Sequence, residues 1–147
     1  MQIPAKAEYA LRALLELAQR GEPATAESLA LAQQLPKGFA AMILNDLRRA
    51  GLLTSRRGHG GYQLSRPADQ ITVADVLRVV DGSLLEVNGY PPERISYTGA
   101  ATRLQDVWLA VQDSLQAVLG RVTLQQIVAG RPDPDLRFIA HLDAKGP

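Results

Sequence analysis

Residues 36–66, PKGFAAMILNDLRRAGLLTSRRGHGGYQLSR, restrict the fold of this chain more than any other stretch, because helical and strand periodicities follow one another there at close spacing. At about 100° per residue, Phe39, Ala40, Ile43, Leu44, Leu47 and Ala50 gather on one apolar arc, which predicts a helix half buried on a core. Gly38, Ala41, Met42, Asn45 and Arg49 fall on the opposite side, which carries no acidic group. Little side-chain bulk at its N-terminal end lets that face approach another surface closely, and the positive end of the helix dipole favours a phosphate. Gly51 stops the helix at C′. Leu52, Leu53 and Thr54 suit a strand, and Tyr62 and Leu64 alternate with Gln63 and Ser65 as a second strand does. Between them, Arg56-Arg57-Gly58-His59-Gly60-Gly61 reads as a hairpin loop whose glycines permit positive φ and whose arginines project from the tip.

Charge is concentrated in the same stretch. Residues 36–66 hold six Lys/Arg and one Asp, a local charge of +5, whereas the whole chain is +1 and the remainder therefore −4. A helix with a bare, non-acidic face followed by a basic hairpin is what a winged helix-turn-helix requires: the helix enters a major groove and the wing reaches phosphates or the minor groove. A solvated charged face, or a helix-turn-helix used only for protein contacts, would leave this asymmetry without a purpose.

The flanking segments fit that architecture. Residues 5–20 predict a helix with Ala7, Ala10, Leu11, Leu14, Leu15 and Ala18 on one face, closed by Gly21, with Glu8 and Arg12 as an i,i+4 pair. Thr25 is an N-cap for a helix ending near Gln33, with Ala26, Leu29 and Ala30 inward, and Pro36 fits the start of the next helix, where no N–H is needed. After a loop at residues 66–69, Thr72 and Asp75 have the spacing of a capping box, and Val73, Val76, Leu77 and Val80 form the apolar side of a helix ended by Asp81-Gly82.

Residues 83–99 have no clear period and contain Pro91-Pro92; a connection of this length suggests a regulatory input. Residues 100–119 then place Leu104, Trp108, Val111, Leu115 and Val118 at spacings of four and three, a heptad-like seam widened by Val107 and Leu119. Such a stripe can be internal core, but the small first domain offers limited surface to cover it, and the same helix of a second copy would bury it. Gly120 breaks this helix, Thr123 and Gln126 predict a capping box for a short helix ending at Gly130, and residues 131–147 read as a tail. The expected organisation is a DNA-binding domain at 1–82, a regulatory loop at 83–99, dimerisation helices at 100–130 and the tail.

Other classes of function find little support. The chain has no cysteine, which excludes disulfides, thiolate metal sites and a cysteine nucleophile. Its two histidines, His59 and His141, lie beside no nucleophile or carboxylate pair, and the run at residues 58–61 lacks the Lys-Ser/Thr of a phosphate loop. No enzyme activity, cofactor or metal is therefore expected. Polar residues interrupt the N-terminal apolar positions, and no stretch approaches the roughly eighteen apolar residues of a membrane span. A cytoplasmic protein with no membrane partner is the expectation.

Tyr9-Ala10-Leu11-Arg12-Ala13, Leu47-Arg48-Arg49-Ala50-Gly51-Leu52, the wing at residues 57–64, Ile71-Thr72-Val73 and Val122-Thr123-Leu124 together resemble the Rrf-two family of bacterial transcription regulators. The Arg-Gly-x-Gly-Gly-Tyr wing after the Arg-x-Ala-Gly-Leu helix end is the most specific part, and the similarity extends to about Gly130. It implies a mainly α fold with a small β wing, in which a winged helix-turn-helix is joined to a long C-terminal dimerisation helix. It also implies a homodimeric repressor or dual regulator on a partly palindromic double-stranded DNA operator. By position it puts DNA contacts at Gly38, Ala41 and Met42 and at Arg57 and its neighbours. With the charged and polar groups of the same surfaces, the expected contact set is Lys37, Gly38, Ala41, Met42, Asn45 and Arg49 on the helix and Arg56, Arg57, His59 and Gly60 on the wing.

The sequence departs from the family pattern twice. Cluster-binding members carry three cysteines in the loop matching residues 83–99, and this chain has none, so a small-molecule effector or a partner enzyme is the expected input. Their iron-sulfur cluster regulator has polar base-reading residues where this chain has Ala41 and Met42, which can touch a thymine methyl but make no bidentate hydrogen bond. Specificity then leans on Asn45, the wing and DNA shape.

Overall fold

The computed structural model describes residues 2–56 and 61–131. Six α-helices and one hairpin are formed among them: α1 (Ala5–Arg20), α2 (Ala26–Gln33), α3 (Lys37–Arg49), β1 (Leu53–Arg56), β2 (Gly61–Leu64), α4 (Val73–Asp81), α5 (Leu104–Leu119) and α6 (Leu124–Ala129). Single 3-10 turns lie at Ala68–Gln70, Pro92–Arg94 and Gly99–Ala101. The mainly α fold with a two-stranded wing is the one the sequence predicts.

α1 is central, packed against α2, α3, α4, α6 and β2. Its buried set is Ala7, Ala10, Ala13, Leu14 and Leu17, turned from the predicted stripe toward Ala13 and Leu17 because several neighbours pack there; Leu11, Leu15 and Ala18 lie half-buried at its edge. α2 starts at its Thr25 cap, whose hydroxyl accepts from Ser28 N–H at 3.1 Å, and buries Leu29 and Ala30, while Ala26 stays half-buried. α3 buries Ala40, Ile43, Leu44 and Leu47. Phe39 and Ala50, expected on the same arc, are exposed: Phe39 lies in the first turn at the edge of that arc, and Ala50 is already the C-cap residue. Gly51 (φ 87°) turns the chain into β1.

β1 and β2 pair antiparallel with Leu53 opposite Leu64 and Arg56 opposite Gly61. β2 also meets the segment before α2, where Tyr62 and Ala24 exchange backbone hydrogen bonds of 2.8 and 3.0 Å. That close approach favours glycine at position 61, since a Cβ there would lie 3.0 Å from the Pro23 side chain and press it back by a few tenths of an ångström. The hairpin base is thereby joined to the helix-turn-helix.

The predicted capping boxes form at Thr72/Asp75, which opens α4, and Thr123/Gln126, which opens α6. α4 buries Ala74, Val76 and Leu77, while Val73 and Val80, expected inward, are half-buried. The two caps are bridged: Val73 N–H donates to Val122 C=O at 2.9 Å and Leu124 N–H to Ile71 C=O at 3.0 Å. α6 thus returns to α1, and Leu124 is fully buried in the same core as Leu14 and Leu44. α5 starts at Leu104, later than the predicted residue 100, because Gly99–Ala101 forms a 3-10 turn with Thr102 Oγ1 donating to Gly99 C=O at 2.7 Å. The tail beyond Arg131 lies outside the described residues.

Two stability predictions follow from these contacts. Thr123→Ala removes one cap acceptor and should cost about 1 kcal/mol in chemical denaturation. Gly61→Val should lower the thermal midpoint by several degrees through its clash with Pro23; an unchanged midpoint would mean that the segment before α2 yields freely.

Candidate nucleic-acid interface

Pro36 precedes α3 without an N–H to satisfy, and its carbonyl accepts from Phe39 and Ala40 N–H, both at 3.1 Å. The first turn of α3 holds no acidic residue. Lys37, Gly38, Phe39, Ala41, Met42, Arg48 and Arg49 are exposed, and Asn45 and Asp46 are half-buried. Among the sequence-predicted contact residues, the structure therefore brings Lys37, Gly38, Ala41, Met42, Asn45 and Arg49 onto the solvent side of one helix. Arg56, exposed at the end of β1, extends the basic surface into the hairpin. Arg57, His59 and Gly60 lie outside the described residues.

Side chains on the flank fix α3 against α1. Lys6 Nζ pairs with Asp46 Oδ2 at 2.9 Å, which draws the only carboxylate of α3 toward α1. Phe39 packs edge-on against Tyr9, ring centres 6.0 Å apart, and the Arg12 guanidinium lies over the other ring at 5.7 Å. Arg12 also donates to the Gln33 carbonyl at the end of α2. This cation and ring assembly was not legible from a pattern that put Phe39 in the core; the separation in sequence of Tyr9, Arg12 and Phe39 hides it. Arg48, another residue outside the predicted set, donates to Asn45 Oδ1 at 2.8 Å. Its i,i+3 spacing from Asn45 was the available signal.

Electrostatically the surface is uneven. Lys37, Arg49 and Arg56 enter no ion pair among the described residues, whereas Arg66 is matched by Asp75 at 3.3 Å. Unpaired cations around an exposed helix face and a hairpin suit a polyanion, with Gly38 and Ala41 leaving room for close approach.

A second surface lies on α5. None of its residues is buried: Leu104 and Val107 are exposed, and Trp108, Val111, Leu115 and Val118 are half-buried. The preceding connection is strapped to it by side chains. Gln105 donates to Pro92 C=O at 3.0 Å, Gln112 donates to the Glu93 carboxylate, and Trp108 Nε1 donates to Tyr97 Oη at 2.9 Å. The Gln112 amide, with the Glu93 backbone, holds the Glu93 carboxyl below its ordinary range, so this strap keeps its charged acceptor through that range and loses it only as pH falls below. Within the connection, Val87 and Tyr90 pair around Asn88 (φ 52°) and Gly89 (φ 81°), a tight turn signalled by the Asn-Gly dipeptide that a reading of residues 83–99 as aperiodic passed over. Arg78 of α4 donates to Gln116 of α5, and between these helices and the loop lies a cleft of about 480 Å³.

A winged helix-turn-helix with an appended long helix defines a class of DNA-binding regulators, and comparison with known proteins gives the family. The Rrf2 profile, described as an iron-dependent transcriptional regulator, matches residues 3–130. MT1325 of Mycobacterium tuberculosis (strain CDC 1551 / Oshkosh), named as an HTH-type transcriptional regulator, is 42% identical over 88% of this chain and 83% of its own. The HTH-type transcriptional regulator CymR of Bacillus subtilis (strain 168) is 33% identical over 88% and 91%. Among solved structures, CymR, the global cysteine regulator of B. subtilis, superposes with a TM-score of 0.71 at 30% identity, covering 88% of this chain and 97% of that one. IscR of T. potens gives 0.69 at 29% identity, covering 88% of each. The chain belongs to the Rrf2 family and is a DNA-binding transcriptional regulator.

Iron in the family description does not extend to the donors present here. The chain has no cysteine, and among the described residues no three His, Cys, Asp or Glu side chains converge as metal ligands. This donor set does not fit a thiolate-held cluster.

Arg49→Ala and Arg56→Ala should each weaken binding to every DNA sequence and reduce the salt slope of log K by about one. Anisotropy titrations over a salt series measure that slope, and an unchanged value would remove the residue from the phosphate contacts.

Proposed function

We propose that this regulator is a homodimeric repressor, joined through α5, whose two copies of α3 and the wing engage the halves of a partly palindromic operator. The observation that carries the dimer is α5 itself: a sixteen-residue helix with an apolar stripe and no buried residue in the single chain. Burial of Leu104, Trp108, Val111, Leu115 and Val118 against a second copy would remove that stripe from water, and hydrophobic burial of this kind drives most association. Two-fold symmetry would then be mirrored in the DNA.

In this reading residues 1–82 form the reading unit, with Lys37, Gly38, Ala41, Met42, Asn45, Arg49 and Arg56 facing DNA; Arg57, His59 and Gly60, outside the described residues, complete the proposed contact set. Residues 83–99 take the input and 100–130 supply the dimer helix and its return. The input is a small metabolite or a partner enzyme, with the cleft beside α4 as its seat; the likeness to CymR favours a compound of sulfur metabolism. The protein acts in the cytoplasm, where its DNA lies, as a regulator without catalysis. The basic, carboxylate-poor surface supports direct DNA readout over a winged-helix module for protein contacts.

Anisotropy titration against the DNA upstream of its own gene and a scrambled duplex, at two salt concentrations, tests the DNA half. A preference of about a thousandfold is expected for a specific site, and equal weak binding to both would favour the interaction module. Leu115→Glu should give monomers in sedimentation and weaken operator binding sharply; a variant that stays dimeric would move the interface off α5.

A further inference from the structure

We infer that α3 reads base edges with hydrogen-bond donors and methyl contacts alone, and so selects guanine and thymine without using the amino groups of adenine or cytosine. The inference rests on α3 being the DNA-facing helix and names the chemistry that helix can recognise. Arg48 acts in it as a positioning residue, through Asn45.

The major groove offers four kinds of base edge. Guanine presents two acceptors, N7 and O6; thymine presents the O4 acceptor and a methyl group; adenine and cytosine present amino donors at N6 and N4. An amino donor is read only by an acceptor on the protein, and an asparagine ordinarily supplies one by pairing its Oδ1 and Nδ2 with adenine N6 and N7.

On α3 each side-chain acceptor group already has a cation partner. Half-buried Asn45 lies on the face opposite the buried residues, and its Oδ1 accepts from Arg48 Nη2 at 2.8 Å, which turns the oxygen along the helix toward Arg48. Asp46, the one carboxylate of the helix, is held by Lys6 of α1 at 2.9 Å on the flank. Backbone carbonyls within α3 are used by the helix. The donors left to face a groove are the amide N–H of half-buried Asn45 and the exposed cations Lys37, Arg48 and Arg49, beside the exposed apolar surface of Ala41 and Met42. Donors match guanine N7 and O6 and thymine O4, and the alanine and methionine match the thymine methyl.

The chemistry separates this from an asparagine reading adenine in the usual way. In that case the amide would present oxygen and nitrogen together, and Arg48 would be free to reach phosphate. Here the guanidinium holds the amide oxygen by a hydrogen bond of 2.8 Å, so the amide N–H is the half left for a base.

The test uses the full-length protein. An operator is first selected from a randomised duplex library, and Asn45→Ala locates the base pairs under α3 by the positions whose preference it changes. At those positions single groups are then removed from the DNA: guanine N7 with 7-deazaguanine, the thymine methyl with deoxyuridine, the adenine amino group with unsubstituted purine, and the cytosine amino group with 2-pyrimidinone. Loss of an N7 acceptor should weaken binding about tenfold and loss of a methyl severalfold, by the usual scale of base contacts. Loss of an amino group should change it less than about twofold on the same scale. Arg48→Ala, exposed and checked for folding by circular dichroism, should free Asn45 Oδ1 and make the variant sensitive to the adenine amino group.

A tenfold loss in the wild type on deleting an amino group would overturn the inference, as would a selected operator on which Asn45→Ala alters no position. An Arg48→Ala variant with the wild-type pattern of sensitivities would remove Arg48 from the readout. Failure of the library to enrich any sequence over a scrambled duplex would instead sink the reading of α3 as a DNA-facing helix.

Discussion

Burial of α1 is the constraint on which the rest of the structure depends. Ala7, Ala10 and Ala13 are almost fully buried, and Leu14 and Leu17 fill the space beside them, so neighbours can approach the helix closely from more than one side. α2 and α3 meet it as the helix-turn-helix pair, while α4 and α6 bring in segments from much later in the chain. A large residue at one of the alanines would push against a packed interior, a change that commonly costs about 1 to 3 kcal/mol. The angle at which α3 leaves the body, and so the direction its outer face points, is set by this packing and by the Lys6–Asp46 and Tyr9–Phe39 contacts above it.

Two surfaces are left after that core is made, and they differ in kind. Around α3 and β1 the exposed groups are cationic, small or polar apart from Phe39 and Met42, which suits a highly charged partner approached closely. Along α5 they are apolar and half-covered, which suits association that removes water. The connection before α5 is tied to it by polar side chains at Pro92, Glu93 and Tyr97, contacts that can exchange with water or ligand at modest cost. The one tryptophan of the chain stands in that strap, so its emission reports on the segment without a label.

Much of this was legible in the sequence because it depends on local rules. Thr72/Asp75 and Thr123/Gln126 announce their caps by residue type and spacing, Gly51 marks a helix end, and the +5 stretch marks the charged surface. What was hidden depends on tertiary neighbours. Phe39 falls on the apolar arc by angle, yet its place is decided by Tyr9, thirty positions away. Periodicity treats α1 as having one wet side, whereas its burial is decided by how many elements gather round it. The Arg48–Asn45 contact, by contrast, is local: its i,i+3 spacing was in the sequence, although spacing alone does not say that the amide oxygen takes the bond.

The bridge between the caps at Thr72 and Thr123 has a consequence for how such a chain can change through evolution. The chain from the end of α4 to the end of α5 leaves the body and comes back to it at Thr123, where backbone hydrogen bonds pin the start of α6 beside the start of α4. Lengthening a surface connection adds only a slowly growing closure entropy, about 0.6 kcal/mol per doubling. Insertions, deletions and wholesale replacement between the 3-10 turns of that excursion can therefore be absorbed while α6 stays seated on α1. A lineage can rewrite that excursion and keep, unaltered, the packing that holds α3.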